Sequence, residues 1–139
     1  MVEAAGLGSV TAYAVKFAAG RQGPDQTSDP NEWGKGQGSF PSWHTTAAFA
    51  VGTVLAESGN DEFRWVRRVI GYGLGSITAY ERLKHNAHWL SDTVAGAALG
   101  AASAHFVMNR HEADLEHTSR FAVVPVPGGA MLTYRLTLN

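Results

Sequence analysis

Cysteine is absent from this sequence of 139 residues. Without it there is no disulfide, no thiolate metal site and no cysteine nucleophile. An excess of charge of one sign is also absent, because 11 basic side chains stand against 12 acidic ones. The sequence therefore gives no electrostatic reason to bind nucleic acid, and no nucleic-acid partner is predicted. Apolar residues make up 45% of the chain and charged residues 17%, which is typical of a folded chain with a sizeable core.

A long membrane-spanning run is not evident either. Residues 93–108 form a 16-residue stretch without aspartate, glutamate, lysine or arginine. That falls short of the roughly 20 apolar residues that a spanning helix needs. The stretch is rich in glycine and alanine, which let helices approach closely, so it is predicted to be a helix packed among other helices. The first residues, Met1 to Ala5, show no signal-peptide pattern.

Four helices are predicted from the apolar pattern and the helix-breaking residues, at 9–19, 41–56, 61–83 and 87–109. Gly20 is expected to end the first helix in a left-handed conformation, and Ser42 is expected to cap the second. Residues 21–40 contain several prolines and glycines and are predicted to form a long loop. Loops of this length in compact domains are usually functional or disordered.

The C-terminal part of the sequence differs in kind. Residues 110–120 are charged and expected to be solvated. The pattern of apolar and polar residues over 121–126 and over 130–138, on either side of Pro127-Gly128-Gly129, predicts a β-hairpin. We therefore divide the chain into a helical bundle at 1–110 and a polar linker with a hairpin at 111–139.

The first cluster of candidate functional residues lies at the end of the first helix. Lys16 and Arg21 are two cations beside a glycine-containing loop, an arrangement that suits an oxyanion. The alternative is that both are solvated charges at a helix C-terminus, where the helix dipole favours cations.

The second cluster opens the second helix, at Ser42-Trp43-His44. A helix N-terminus has free N–H groups and partial positive charge, so it can bind an anion. Ser42 adds a hydroxyl, and His44 lies in the first turn. The alternative is an ordinary serine cap followed by an incidental histidine.

The third cluster joins Arg82, His88 and Asp92. His88 and Asp92 are four residues apart, so on one helix they share a face, and the carboxylate can accept a hydrogen bond from one ring nitrogen. Arg82 can clamp an anion with its planar guanidinium. Two alternatives remain open, namely a surface His–Asp pair and a metal site that would also use His85.

Together the clusters resemble the motifs of the type 2 phosphatidic acid phosphatase (PAP2) superfamily, which also includes bacterial acid phosphatases and vanadium haloperoxidases. The family pattern is K-x6-R-P, then P-S-G-H, then S-R-x5-H-x3-D. The matching positions are Lys16 and Pro24 in the first motif, Pro41, Ser42 and His44 in the second, and Arg82, His88 and Asp92 in the third.

The resemblance implies an all-α bundle of the PAP2/chloroperoxidase type and a metal-independent phosphatase that forms a phosphohistidine. Its substrates would be phosphate monoesters, lipid phosphates or lipid diphosphates. His88 would be the nucleophile, Asp92 would orient it, and His44 would protonate the leaving group. The implied phosphate-binding residues are Lys16, Ser42 and Arg82, with Arg21 and the N–H of Trp43 as further candidates. No metal or other cofactor is implied, and vanadate would mimic phosphate.

Three positions depart from the family pattern. Gly23 replaces the arginine of the first motif, Trp43 replaces the glycine of the second, and Glu81 replaces the serine before Arg82. These changes support a second hypothesis, in which the protein is a non-catalytic phosphate-binding or structural member of the family. A third hypothesis is a vanadate-dependent haloperoxidase.

Members of the family usually have further helices ahead of the first motif, whereas 15 residues precede Lys16 here. The N-terminal helices of the bundle are therefore expected to be absent or to be supplied by another subunit. An incomplete bundle leaves apolar faces open, which predicts a homo-oligomer or association with a membrane. The resemblance also implies a bacterial protein that is membrane-associated or periplasmic.

Overall fold

The computed structural model describes residues 1–35, 38–126 and 129–134. Its elements in chain order are α1 (Val2–Ala19), α2 (Trp43–Glu57), α3 (Arg64–Lys84), α4 (Leu90–Arg120), β1 (Phe121–Val126) and β2 (Gly129–Tyr134). The chain divides into two compact units, Met1–Val107 and a second from Met108 onwards. The predicted helical fold is confirmed.

The first helix, α1, begins at Val2, seven residues before the predicted start. It ends as predicted, because Gly20 adopts φ 52° and donates its N–H to the carbonyl of Lys16 at 3.0 Å. Glycine takes this left-handed conformation without the steric strain that a Cβ causes. The turn fixes Lys16 in the last turn of the helix and starts the loop toward α2.

The second helix, α2, packs against both α1 and α3. Its buried residues are mostly alanine and threonine, and the hydroxyl of Thr46 donates to the carbonyl of Ser42 at 3.0 Å. Gly52 of α2 faces Gly71 of α3 so closely that a Cβ on either would overlap the other's carbonyl. The small residues therefore allow the backbones of α2 and α3 to come together.

The fourth helix, α4, extends the prediction at its C-terminal end. It runs to Arg120, so the stretch at 111–120 that was expected to be a polar linker is helical. The predicted close packing of its small residues is observed, since a Cβ at Gly100 would overlap the carbonyl of Thr46 in α2. The predicted domain boundary at 110 stays a prediction.

The predicted hairpin is present as an antiparallel pair of strands. Phe121 pairs with Tyr134 and Val126 pairs with Gly129. The second strand was expected to continue to residue 138, but residues 135–139 lie outside the described part of the chain, as do 127 and 128 of the connection. Both strands belong to the second unit.

Large apolar side chains are exposed on the helices of the first unit. Examples are Phe17 on α1, which is 86% exposed, and Trp65 on α3, which is 70% exposed. Further examples are Val10, Val69, Leu74, Ile77 and Val94. Within the described ranges, none of the helices has the length and apolar character that crossing a membrane requires.

Candidate phosphate-binding and catalytic site

Residues from all three sequence clusters line one cleft of about 230 Å³ in the first unit. The C-terminal turn of α1, the following loop, the start of α2, the end of α3 and the segment before α4 all contribute. The lining residues are Lys16, Gly23, Asp25, Gln26, Gly38, Ser39, Trp43, His44, Arg82, Ala87 and His88. Five of the eight candidate site residues thus meet although the chain separates them widely, namely Lys16, Trp43, His44, Arg82 and His88.

His88 is buried, with 6% of its surface exposed, and its ring is fixed by the main chain. Its Nδ1 lies 2.8 Å from the carbonyl oxygen of Ser39. A carbonyl oxygen only accepts hydrogen bonds, so Nδ1 carries the proton. In the neutral ring the other nitrogen, Nε2, then keeps its lone pair, which is the state that a nucleophile needs.

The predicted hydrogen bond between His88 and Asp92 is not formed. The Nδ1 of His88 lies 3.7 Å from the Oδ2 of Asp92, which is beyond hydrogen-bond reach. Both carboxylate oxygens of Asp92 already accept other donors. Oδ2 accepts the N–H of Trp89 at 2.8 Å, which closes the first turn of α4, and Oδ1 accepts Arg21 at 2.6 Å. The orienting hydrogen bond is instead the one that His88 donates to the carbonyl of Ser39.

Asp92 is fully buried but remains ionised. Burial alone would raise the pKa of its carboxyl, but the adjacent His88 ring, the Trp89 N–H and the charge of Arg21 together hold that pKa below its usual value of 3.8. A negative charge therefore persists beside His88.

Arg21 was predicted as a phosphate ligand, and the structure gives it other contacts. Its guanidinium donates to Asp92, to the hydroxyl of Ser91 at 2.7 Å and to the carbonyl of Pro30 at 2.9 and 2.7 Å. It is 5% exposed and is not among the residues that line the cleft. The loop after Gly20 turns the side chain toward the start of α4.

The cleft is also lined by three side chains that are cationic or can become so. These are Lys16, His44 and Arg82, which lie there together with His88. Burial lowers the pKa of Lys16, an effect that Asp92 opposes and Arg82 reinforces. Burial also lowers the pKa of His44, and the charges of Arg82, His88 and Lys16 lower it further. The positive potential that depresses the pKa of His44 is the potential that attracts an anion.

Two buried atoms at the cleft lack a hydrogen-bond partner within the part of the chain that the structure describes. Among the described residues, neither the Nε of Arg82 nor the Nδ1 of His44 has a hydrogen-bond partner. Buried polar atoms in native proteins are nearly always paired, so unpaired ones at a cleft indicate that a ligand or water completes them.

The predicted ligand Ser42 is fully buried and does not line the cleft. Its hydroxyl accepts from Thr45 at 3.0 Å, and its N–H donates to the carbonyl of Asp92 at 3.0 Å. Trp43, by contrast, does line the cleft, and its indole lies against the ring of His44. Ser42 thus ties α2 to α4, and Trp43 forms part of the wall of the cleft.

Gly23, which stands where the family motif has arginine, is buried in the cleft wall. A Cβ at this position would lie 2.5 Å from the Oδ1 of Asp25. The carboxylate of Asp25 thus occupies the space into which a longer side chain at position 23 would grow. The sequence motifs gave no role to three residues that the loop conformation brings to the cleft. These are Asp25, Gln26 and Ser39, the last through its carbonyl.

The alternative metal site is not supported by the geometry. In the described parts of the chain, no three His, Asp or Glu side chains are grouped as ligands for a metal ion. His85, which would have been one ligand, is exposed and pairs with Glu81 at 3.2 Å.

Known proteins show the family to which this chain belongs. The family model of the PAP2 superfamily matches residues 1–115, and the chain belongs to that superfamily. A lipid A 1-phosphatase of Porphyromonas gingivalis is 37% identical over 87 residues, which are 63% of this chain and 18% of that protein. The match therefore spans less than a fifth of the relative's length. No solved structure gives a significant match.

Proposed function

We propose that this protein is a phosphatase that hydrolyses a phosphate monoester or a lipid phosphate through a phosphohistidine on His88. The observation that carries the proposal is the single cleft shared by His88, His44, Lys16 and Arg82. Such a cleft provides a nucleophile, an acid and two cations within one small volume.

In the first step, the lone pair on Nε2 of His88 attacks phosphorus, and the bond from phosphorus to the ester oxygen breaks. His44 gives its proton to that oxygen, so the alcohol leaves neutral. The cations of Lys16 and Arg82 stabilise the charge on the equatorial oxygens, together with N–H groups at the start of α2.

In the second step, water attacks phosphorus, and the electron pair of the N–P bond returns to Nε2. His44, now neutral, accepts a proton from the water. The hydrogen bond from Nδ1 to Ser39 keeps the ring in one orientation through both steps. Because both displacements use only imidazoles and fixed cations, the proposal needs no metal or organic cofactor.

A lipid phosphate is the substrate class that the family and the relative favour. The relative's name identifies it as a phosphatase of lipid A. A cleft of about 230 Å³ accommodates a phosphoryl group but not a lipid, so the remainder of the ester would lie outside the cleft. Exposed apolar side chains on α1 and α3 would suit such a substrate.

Two observations favour a second candidate, a non-catalytic member that binds phosphate. The ring of Trp43 covers one face of His44, with ring centroids 3.9 Å apart. The carboxylate of Asp25 stands beside the position that the motif arginine would occupy. A cleft with such a wall would hold phosphate without allowing a leaving group to align with His44.

Hydrolysis of p-nitrophenyl phosphate and of a short-chain phosphatidic acid decides between these candidates. We expect turnover that resists EDTA, is inhibited by vanadate and falls by on the order of 10⁴-fold in His88→Ala. His85→Ala is the matched control, because this exposed histidine lies three residues away and should leave turnover unchanged. Phosphate binding without turnover, in the wild type and in a Gly23→Arg/Asp25→Asn/Trp43→Gly variant, would establish the non-catalytic candidate.

Four further expectations from the family resemblance stay predictions. Halide oxidation with added vanadate tests the haloperoxidase hypothesis. Sedimentation with vesicles tests association with a membrane, and the mass in solution tests for a homo-oligomer. A periplasmic or membrane-associated location in a bacterium is checked by fractionating cells that express the protein.

A further inference from the structure

We propose that Arg21 is a positioning residue, which holds the start of α4 and the loop around His88 in place without contacting phosphate. This inference rests on the proposed phosphatase function. It replaces the role of phosphate ligand that the sequence alone suggested for Arg21.

The contact with Asp92 is the strongest argument. The Nη1 of Arg21 lies 2.6 Å from the Oδ1 of Asp92, and the two side chains are 6% and 0% exposed. Charge-assisted hydrogen bonds between buried groups are short and are weakly screened by solvent. The same Nη1 also donates to the hydroxyl of Ser91, so Arg21 contacts two consecutive residues in the first turn of α4.

The opposite edge of the guanidinium is bound to the loop. Its Nε and Nη2 both donate to the carbonyl of Pro30, at 2.9 and 2.7 Å. Four hydrogen bonds therefore occupy four of the five N–H groups that an arginine offers. A guanidinium so fully used has little capacity left for a phosphate oxygen.

Two indole rings enclose the same guanidinium. The Cζ of Arg21 lies 4.8 Å from the ring centre of Trp33 and 5.8 Å from that of Trp89. The Nε1 of Trp89 in turn donates to the carbonyl of Gln22 at 2.9 Å. Only a planar cation can stack on aromatic rings and donate from its edges at once, so lysine would keep the charge but lose most of this arrangement.

Arg21 reaches His88 by two short routes. Its carbonyl accepts the N–H of Ser39 at 2.6 Å, and the carbonyl of Ser39 accepts Nδ1 of His88. Its side chain fixes Asp92, whose other oxygen holds the N–H of Trp89, the residue after His88. Arg21 therefore contacts Ser39, whose carbonyl sets the His88 tautomer. It also contacts Asp92, which holds the backbone next to His88.

Arg82 provides the matched comparison. It lines the cleft, and its Nε lacks a partner among the described residues, as expected of a phosphate ligand. A positioning role for Arg21 therefore predicts that its loss slows the chemical step and leaves the binding of a phosphate mimic intact, whereas loss of Arg82 weakens binding.

The first test uses the wild-type chain and needs no variant. Titration with inorganic phosphate, followed by NMR of the arginine side-chain Nε–H signals, should shift the Arg82 signal and leave the Arg21 signal in place. A shift of the Arg21 signal as large as that of Arg82 would overturn the proposal.

The second test compares kcat with the inhibition constant of vanadate in Arg21→Lys, Arg21→Gln and Arg82→Gln. We expect kcat to fall by about 10- to 100-fold in Arg21→Gln and by less in Arg21→Lys, with vanadate inhibition within about twofold of the wild type. Arg82→Gln should instead weaken vanadate inhibition by about 10-fold or more. Weakened inhibition in Arg21→Gln equal to that in Arg82→Gln would contradict the positioning role.

The third test separates this inference from the phosphatase proposal. The His88 tautomer can be followed by NMR correlation of its ring nitrogens, whether or not the protein turns over an ester. We expect Nδ1–H in the wild type and a mixture of tautomers in Arg21→Lys or Arg21→Gln, whichever folds. An unchanged tautomer in a folded Arg21 variant would overturn the inference, while absence of turnover in the wild type would remove only the proposed function.

Discussion

The indole of Trp43 lies against the imidazole of His44, with ring centroids 3.9 Å apart and ring planes inclined by 33°. The residue that replaces the family's glycine thus directly contacts the proposed acid. Trp43 also lies near Tyr13 of α1, at a centroid distance of 6.0 Å, so its ring connects the acid with the first helix.

Replacing Trp43 with glycine should open the cleft for phosphate. We expect Trp43→Gly to bind inorganic phosphate several-fold more tightly, measured by calorimetry, and to lose about 1–2 kcal/mol of stability through poorer helix propensity and lost packing. Trp43→Phe keeps an aromatic ring and is the control, with affinity near that of the wild type. Weaker binding in Trp43→Gly would mean that the indole itself helps to hold the ligand.

The pKa of His44 should rise when an anion binds. In the unliganded protein, burial and the charges of Arg82, His88 and Lys16 lower this pKa from its ordinary value of 6.5. A bound dianion offsets those charges and favours the protonated ring. NMR titration of the ring with and without sulfate, which keeps its charge over this pH range, measures the change.

The affinity for sulfate should therefore decrease as the pH rises. A proton is taken up with the anion, so affinity should be highest at low pH and should fall as the pH rises through the His44 pKa of the complex. The ring signal of His105, an exposed histidine on α4, should not respond to sulfate. Affinity that rises with pH would contradict the assignment of His44 as the acid.

The loss of hydrolysis rate in His44→Ala should depend on the leaving group of the substrate. An alkyl alcohol leaves poorly without a proton, whereas p-nitrophenolate leaves readily as an anion. We expect His44→Ala to slow hydrolysis of an alkyl phosphate by about 10²- to 10⁴-fold and that of p-nitrophenyl phosphate by much less. Equal losses on both substrates would show that His44 binds the phosphoryl group rather than protonating the leaving oxygen.

Placing the motif arginine at position 23 should strengthen phosphate binding only if Asp25 is also changed. A side chain at position 23 begins 2.5 Å from the Oδ1 of Asp25, so Gly23→Arg would push this exposed carboxylate aside and pair with it. We expect little gain in phosphate affinity from Gly23→Arg, but about a 10-fold gain from Gly23→Arg combined with Asp25→Asn. Asp25→Asn alone completes the double-mutant cycle, and additive effects would argue against the pairing.

Asp92 should make the stability of the folded protein depend on pH in the acid range. Its pKa is lowered in the folded protein, so its contribution is present above its ordinary value of 3.8 and is lost as the pH falls through the lower folded-state value. Asp92→Asn leaves the buried Arg21 without its anion and should cost about 3 kcal/mol near neutral pH. Chemical unfolding at acid and neutral pH should show a smaller difference between wild type and variant in acid.

Much of the fold was predictable because local signals agreed with tertiary packing. Gly20 ends α1 as its conformational freedom suggests. Ser42 directly precedes α2, but its side chain does not make the expected capping hydrogen bond. The end of α4 was missed because the charged residues beyond 110 continue a helix that the apolar pattern alone could not extend. The start of α1 was missed for a similar reason, since Val2 to Gly8 carries no cap signal.

The sequence predicted which residues share the cleft better than it predicted the contacts that these residues make. The cleft gathers His88, His44, Lys16 and Arg82, whose spacing matches the family motifs. Which acceptor holds Nδ1 of His88 could not be read from spacing, because a main-chain carbonyl of Ser39 has no sequence signature. The inward turn of Arg21 depends on the path of a 20-residue loop, which no local pattern fixes.

The ion pair between Arg21 and Asp92 joins residues 71 positions apart in the chain. Contacts of such long range form only after loop-closure entropy has been overcome, so they tend to appear late in folding. The parts of the cleft therefore come together only when α1 and α4 have both docked on α2. A chain caught with either helix undocked would keep most of its helical circular-dichroism signal and yet hold no phosphate.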